Sequence, residues 1–159
     1  MATICFSLGS NMGDRRSNLD QAIEKLIVEC GLIGVRISAF YETDPIGYTD
    51  QEAFLNCVVM GRTSMEPFDV LEITKGIEQE LKRNRKVRWG PRTLDVDILL
   101  YDDLEQDDPE LTIPHLRMLE RAFVLIPLLE IWPDAVVQGQ KVTEILPALA
   151  EQKVRKLES

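Results

Sequence analysis

An α+β fold, with helices packed on a mainly antiparallel sheet, is what this 159-residue sequence predicts, and three observations carry the expectation. Short β-rich runs and amphipathic helical stretches follow one another as strand, helix, strand, strand, helix, strand. The run Leu94–Tyr101 alternates between an apolar side and a carboxylate-bearing side, as a strand with one face on a core does. Finally, 45% hydrophobic and 28% charged residues, with only 9 Gly and 8 Pro, describe one globular domain over residues 1–159 and exclude fibrous or disordered chains.

Taken in order, residues 3–8 (TICFSL) form the first β-rich run, and Gly9, Ser10, Asn11 and Gly13 read as the turn that ends it. Leu19, Ala22, Ile23, Leu26, Ile27 and Cys30 then recur at helical spacing up to Gly31, a natural C-terminal stop. In residues 32–41 (LIGVRISAFY), Val35, Ile37 and Ala39 alternate with Arg36, Ser38 and Phe40, which predicts a half-buried strand with the first set inward. After the turn-rich TDPIGYTDQ, residues 53–60 (AFLNCVVM) read as a strand and 61–66 as the turn leaving it. Pro67 suits the first turn of a second helix, where its missing N–H is no loss, and Phe68, Leu71, Ile77 and Leu81 supply the inward stripe.

In Leu94–Tyr101 the apolar side is Leu94, Val96, Ile98 and Leu100, and the other side is Asp95, Asp97, Leu99 and Tyr101. An acidic turn (102–108), a short extended LTIP and a helical stretch at 121–131 follow, and residues 132–159 are expected to hold one strand pair and a terminal helix. Two helices on one face of an antiparallel sheet, in this order, make the ferredoxin-like arrangement with C-terminal additions. Many functions use that layout, so it selects none.

Charge narrows the field. Eighteen Lys and Arg against 27 Asp and Glu leave a formal charge of -9, which excludes broad electrostatic capture of nucleic acid or of an anionic membrane. Cys5, Cys30 and Cys57 have no CxxC or His/Cys metal spacing and fit buried thiols in a reducing cytosol. No leader-like start and no apolar stretch of membrane-spanning length is present, so a soluble, cytoplasmic protein is expected. With no apolar stripe left over once the helices cover the sheet, the expected state is a monomer.

The chemistry concentrates in residues 83–97, RNRKVRWGPRTLDVD. In an acidic chain, Arg83, Arg85, Lys86, Arg88 and Arg92 stand together directly before two carboxylates. Asp95 and Asp97, two apart on a strand, project from one face with Cα atoms about 6.5 Å apart. Such a pair either lines a solvated strand face or holds a cation between its oxygens. Mg²⁺ suits the second reading, because it takes carboxylates and leaves positions for water and phosphate. Arginine forks match phosphate oxygens, so a basic loop beside a metal pair fits phosphoryl transfer.

Trp89, beside Gly90 and Pro91, reads either as a core anchor or as a lid over a planar ligand. His115, the chain's one histidine, reads either as structural or, with Arg117 and Arg121 near it, as a donor to phosphate. Phe54 and Asn56 share a strand face, and an aromatic beside an amide suits a flat heterocycle as well as it suits a core. GSNMGDR lacks the Gly-Lys-Ser/Thr ending of a phosphate-binding P-loop.

With these residues in view, the chain resembles the 6-hydroxymethyl-7,8-dihydropterin pyrophosphokinases of folate biosynthesis. The matching stretches, in chain order, are FSLGSN (6–11), YETDPIG (41–47), FLN (54–56), RWGPRTLDVDILL (88–100) and LTIPHLRMLERAFVLIPLLEIWP (111–133). The resemblance implies transfer of pyrophosphate from ATP to the hydroxymethyl group of the pterin, with release of AMP. It implies that Asp95 and Asp97 hold two Mg²⁺ ions on the triphosphate. Arg83, Arg85, Arg92 and Arg121 would contact phosphates, with His115, Glu78, Thr112, Ile98 and Trp89 on the nucleotide. The pterin would lie between Phe54 and Phe123, read by Thr43, Asn56, Asp95 and the segment Pro45, Ile46 and Gly47, with Trp89 closing over it.

In that reaction Asp97 either accepts the hydroxyl proton or orients the hydroxyl through the metal. Phe54 stands where some members carry Tyr, and Leu116 and Glu110 also depart from the pattern. Two other readings compete: a nucleotidyl- or glycosyltransferase using the same Asp pair, and a small-molecule sensor without turnover.

Overall fold

The structure is a computed structural model that describes residues 1–11, 13–44, 53–83 and 94–157. Its elements are β1 (Ala2–Ser10), α1 (Arg15–Glu29), β2 (Ile33–Ile37), β3 (Tyr41–Thr43), β4 (Phe54–Thr63), α2 (Pro67–Arg83), β5 (Leu94–Tyr101), α3 (Ala122–Ile131), β6 (Val136–Val137), β7 (Gln140–Lys141), α4 (Val142–Ile145) and β8 (Arg155–Lys156). The strands run in the order β5-β1-β4-β3-β8, every pair antiparallel, and β2 joins β3 on the same edge of β4. This is the expected ferredoxin-like order with additions at its C-terminal end.

Period-two alternation in β1 and β4 sorts side chains to two cores. Ile4, Phe6, Leu8 and Val59 meet Leu19 and Leu26 of α1 and Val70, Ile77 and Leu81 of α2. On the opposite face Cys5 and Val58 meet Val124, Leu125 and Leu128 of α3. The sheet is therefore covered on both sides, which is why the central strand β1 reads as an almost unbroken buried run. The Asp14 carboxylate caps α1 by accepting from the Ser17 N–H at 3.0 Å. Gly31, at φ +60, ends the helix as expected, and the Thr63 hydroxyl donates to the Cys30 carbonyl left open there. Cys5, Cys30 and Cys57 are free and buried, one in the second core and two in the first.

Several expectations need correction. Gly9 and Ser10 belong to β1, paired with Asn56 and Leu55, and are not turn residues. Residues 61–63 also belong to a strand, because Ala2–Ile4 supply them with partners. Residues 32–41 do not form one strand: after the irregular β2, where Gly34 takes φ +63, the phase reverses. Ser38 and Phe40 are buried, while Ile37, expected inward, is 44% exposed. The break is held at Ser38, whose N–H donates to the Val58 carbonyl and whose hydroxyl accepts from the Val58 N–H, both at 2.9 Å.

On α2 the inward stripe is Val70, Thr74, Ile77 and Leu81, and Phe68, expected inward, is 43% exposed. In β5 the register against β1 slips between Cys5 and Phe6, so Leu100 opposes Cys5 and Ile98 opposes Phe6. That bulge turns Leu99 and Leu100 together into the second core, while Tyr101 packs on the first and donates its hydroxyl to the Met65 carbonyl. The terminal helix is also replaced: α4 is a single turn, and the chain returns to the sheet as β8 beside β3.

Candidate active site

The strand-borne site residues that are described, Thr43, Phe54, Asn56, Asp95 and Asp97, gather at the end of the sheet where β5 starts. Asp95 opposes Gly9, and Gly9 opposes Asn56, which in turn opposes Tyr41. One row thus crosses four strands, and neighbouring strands lie about 4.8 Å apart. Asp97 sits one pleat further along, opposite Ser7, and Phe54 pairs with Thr43. Cross-strand partners share a face, so Asp95, Asp97, Asn56, Phe54 and Thr43 all project on the α3 side.

Gly9 makes room in this row for the Asn56 amide. A Cβ there would stand 2.8 Å from Asn56 Oδ1, a contact that real Cβ atoms do not make. Sequence reading missed this residue by placing it in a turn, although a glycine inside an apolar strand run is the usual sign of close approach. Asn56 is 3% exposed, and its amide donates to the Thr43 hydroxyl at 3.0 Å.

Asp97 and His115 interact with each other and with the charges around them. Burial pushes the Asp97 carboxyl above its ordinary range; His115 opposes that rise, Asp95 adds to it, and Arg121 opposes it. Burial likewise holds the His115 imidazole below its ordinary value against the pull of Asp97, with Arg121 and Arg117 adding to the depression. The His115 N–H donates to the Leu99 carbonyl at 2.9 Å, and its Nδ1 accepts from the Arg117 N–H at 3.2 Å. A neutral His115 therefore carries its proton on Nε2 and presents a donor there. The Arg121 guanidinium lies 5.6 Å from the centroid of the Phe123 ring, at the start of α3.

Glu78 reaches β5 from α2: its Oε2 accepts from the N–H of Val96, between the two aspartates, at 2.8 Å. Burial raises the Glu78 carboxyl, the Val96 N–H and Lys82 lower it, and Asp95 and Asp97 raise it again. Ile98 has its side chain in the first core, so only its main chain can meet a ligand. The Thr112 hydroxyl donates to the Asp108 carbonyl, and Thr112 and His115 share the wall of a cavity of about 280 Å³. A larger cavity of about 870 Å³ lies at the other end of the sheet, around Thr3, Arg62, Asp102 and Trp132, and holds none of the predicted site residues. Arg83 is the last residue of α2. Pro45, Ile46, Gly47, Arg85, Trp89 and Arg92 lie outside the described residues.

Among the described residues no group of three or more His, Cys, Asp and Glu converges on one metal position. What the strand offers is a pair of hard carboxylate donors on one face, held in place from behind by Glu78, and that donor set fits a Mg²⁺ ion whose remaining positions go to water and phosphate.

Residues 5–133 match the model of the family described as 7,8-dihydro-6-hydroxymethylpterin-pyrophosphokinase (HPPK). The chain belongs to this family. It is a pyrophosphokinase of folate biosynthesis. The Bacillus subtilis (strain 168) 2-amino-4-hydroxy-6-hydroxymethyldihydropteridine pyrophosphokinase is 51% identical over 125 residues, 79% of this chain and 75% of the relative. The enzyme of the same description from Methylorubrum extorquens is 42% identical over 158 residues, 99% of this pyrophosphokinase and 100% of the relative. The fold agrees with a solved Plasmodium falciparum HPPK-DHPS at a TM-score of 0.70 and 17% identity; the alignment covers 94% of this chain and 42% of that longer one. Among the described residues no helix is long and apolar enough to cross a membrane.

Proposed function

We propose that residues 1–159 act as one Mg²⁺-dependent domain, a cytoplasmic monomer, that transfers pyrophosphate from ATP to the hydroxymethyl group of 6-hydroxymethyl-7,8-dihydropterin and releases AMP. The observation that carries this reading is the row Asp95, Gly9, Asn56, which sets a carboxylate and a buried amide on one face of the sheet with only a glycine between them. The two relatives named above carry the pterin in their names, and a buried amide on this face suits the polar edge of a flat heterocycle.

In this reading the pterin lies between Phe54 and Phe123, with Asn56, Thr43, Asp95 and the main chain of Pro45, Ile46 and Gly47 on its polar edges. The Asn56 amide is oriented by Thr43. The nucleotide is held by Thr112, Glu78, the main chain of Ile98 and Trp89. Its phosphates meet Arg83, Arg85, Arg92, Arg121 and the Nε2–H of His115, a donor that burial keeps neutral. Asp95 and Asp97 would hold two Mg²⁺ ions, which when bound would neutralise the triphosphate and make its β-phosphorus more electrophilic. The bond that forms joins the pterin hydroxymethyl oxygen to that phosphorus, the bond that breaks is the one from the β-phosphorus to the oxygen that leaves with AMP, and the hydroxyl proton passes to Asp97 or to water. The chain's own part is to place two flat substrates in line and to balance charge.

The test mixes the protein with ATP, Mg²⁺ and the pterin and resolves the nucleotides, beside an Asp97→Ala control and a chelator control. AMP and pterin diphosphate should form in equal amounts, and both controls should lose at least about a hundredfold in rate. ADP as product, or an Asp97→Ala variant that retains its rate, would overturn the reading.

A further inference from the structure

The family match ends at residue 133, yet the chain after it returns to the substrate end of the sheet. β8 pairs with β3 through Tyr41↔Lys156 and Glu42↔Arg155. The Arg155 guanidinium donates to Glu42 Oε1 at 3.1 Å and to Asp44 Oδ1 at 3.0 Å. Arg15, on α1, takes the other oxygen of Glu42 at 2.8 Å, and the same nitrogen donates to the Ala53 carbonyl at 2.7 Å. Arg15 thereby ties β3 to the residue before β4. The Glu42 carboxyl is held below its usual range, first by the hydrogen bond from Arg15 and then by that from Arg155.

This charge network borders a strand of only three residues, Tyr41–Thr43, whose other neighbour in the sheet, among the described residues, is β4. The strand's start is anchored on α3, where the Tyr41 hydroxyl donates to Glu130; its other end, held by the charge network, carries Thr43, whose hydroxyl orients the Asn56 amide. One exposed ion pair contributes little, but an arginine fork shared between two carboxylates and backed by a ladder adds geometry as well as charge.

We propose that Arg155 is a positioning residue for the pterin pocket: by clamping Glu42 and Asp44 from the C-terminal strand it sets β3, and with it Thr43 against Asn56. The inference rests on the reading of Thr43 and Asn56 as pterin contacts. It extends the functional unit past the stretch that the family model matches.

The test measures KM for each substrate, kcat and thermal midpoint for the full-length wild type, Arg155→Ala, Arg155→Lys and, as a reference, Asn56→Ala. Arg155→Ala should raise KM for the pterin about three- to tenfold, the size of a surface charge network expressed as affinity, with KM for ATP and kcat unchanged. Arg155→Lys should recover part of it, because an ammonium meets one carboxylate but cannot fork across two. Added salt should raise the pterin KM of the wild type towards that of Arg155→Ala. A lower thermal midpoint with an unchanged pterin KM, or an equal rise for both substrates, would show a merely structural tail and overturn the proposal. If Asn56→Ala raises the pterin KM and Arg155→Ala does not, only the clamp falls; if Asn56→Ala has no effect, the pocket reading falls and takes the clamp with it.

Discussion

The two faces of the sheet are built from the same strands and do opposite work. On the face under α1 and α2, the alternate residues of β1 and β4 are apolar through the middle, Ile4, Phe6, Leu8, Leu55, Cys57 and Val59, with the buried Ser10 and Thr63 at the strand ends. On the face under α3 the apolar set holds the middle, with Cys5, Val58, Leu99 and Leu100, and then gives way to Ser7, Gly9, Asn56, Asp95 and Asp97. Two helices cover one face; one helix covers part of the other and leaves the rest to the proposed substrate site. Core packing and that polar row are thus separated by one residue of strand period.

That contrast can be broken from either side. Phe6→Ala cuts a fully buried ring from the two-helix face and should cost about 3–5 kcal/mol in urea unfolding, the largest effect here. Gly9→Ala adds one carbon to the other face, 2.8 Å from Asn56 Oδ1. It should cost about 1–3 kcal/mol and also raise the pterin KM, which Phe6→Ala should not do in the protein that remains folded. Equal kinetic effects of the two would mean that the faces are not functionally distinct.

The smallest effect sharpens the comparison at Glu78, which supports the ligand face from the α2 side. Its carboxyl is raised above the ordinary 4.5, mainly by burial, so the stability it contributes is present below that pH and is lost as pH rises through its folded value. Gln can still accept from the Val96 N–H. In the metal-free protein Glu78→Gln should therefore match the wild type near pH 4 and exceed it at neutral pH by under about 1 kcal/mol, read from thermal melts at both pH values. An equal difference at both would remove the carboxylate charge as the cause.

Local patterns were legible where a strand or helix sets its own phase. The spacing of Asp95 and Asp97 already placed them on one face, and Leu19 to Leu26 already marked the buried stripe of α1. What could not be read depended on partners distant in the chain. The bulge that turns Leu100 away from Leu94 exists only in the register of β5 against β1. Residues 61–63 extend as a strand because Ala2–Ile4 lie beside them, and Ser38 becomes a buried hinge because Val58 needs both of its hydrogen bonds. Gly9 looked like a turn because the close approach that demands it comes from Asn56, far along the chain. The family motif takes in β5, but β8 lies beyond it, so nothing in the motif pointed to Arg155.

The three cysteines give the layered build a practical use. Burial pushes the Cys5 thiol up to about 12 and that of Cys30 up to about 11, and it raises Cys57 as well, so at neutral pH none of them supplies appreciable thiolate while the layers are closed. Alkylation therefore waits for a layer to separate from the sheet. Cys30 and Cys57 record the parting of the α1 and α2 side, and Cys5 that of the α3 side. The chain thus carries its own chemical clocks, one kind on each face, for which half opens first.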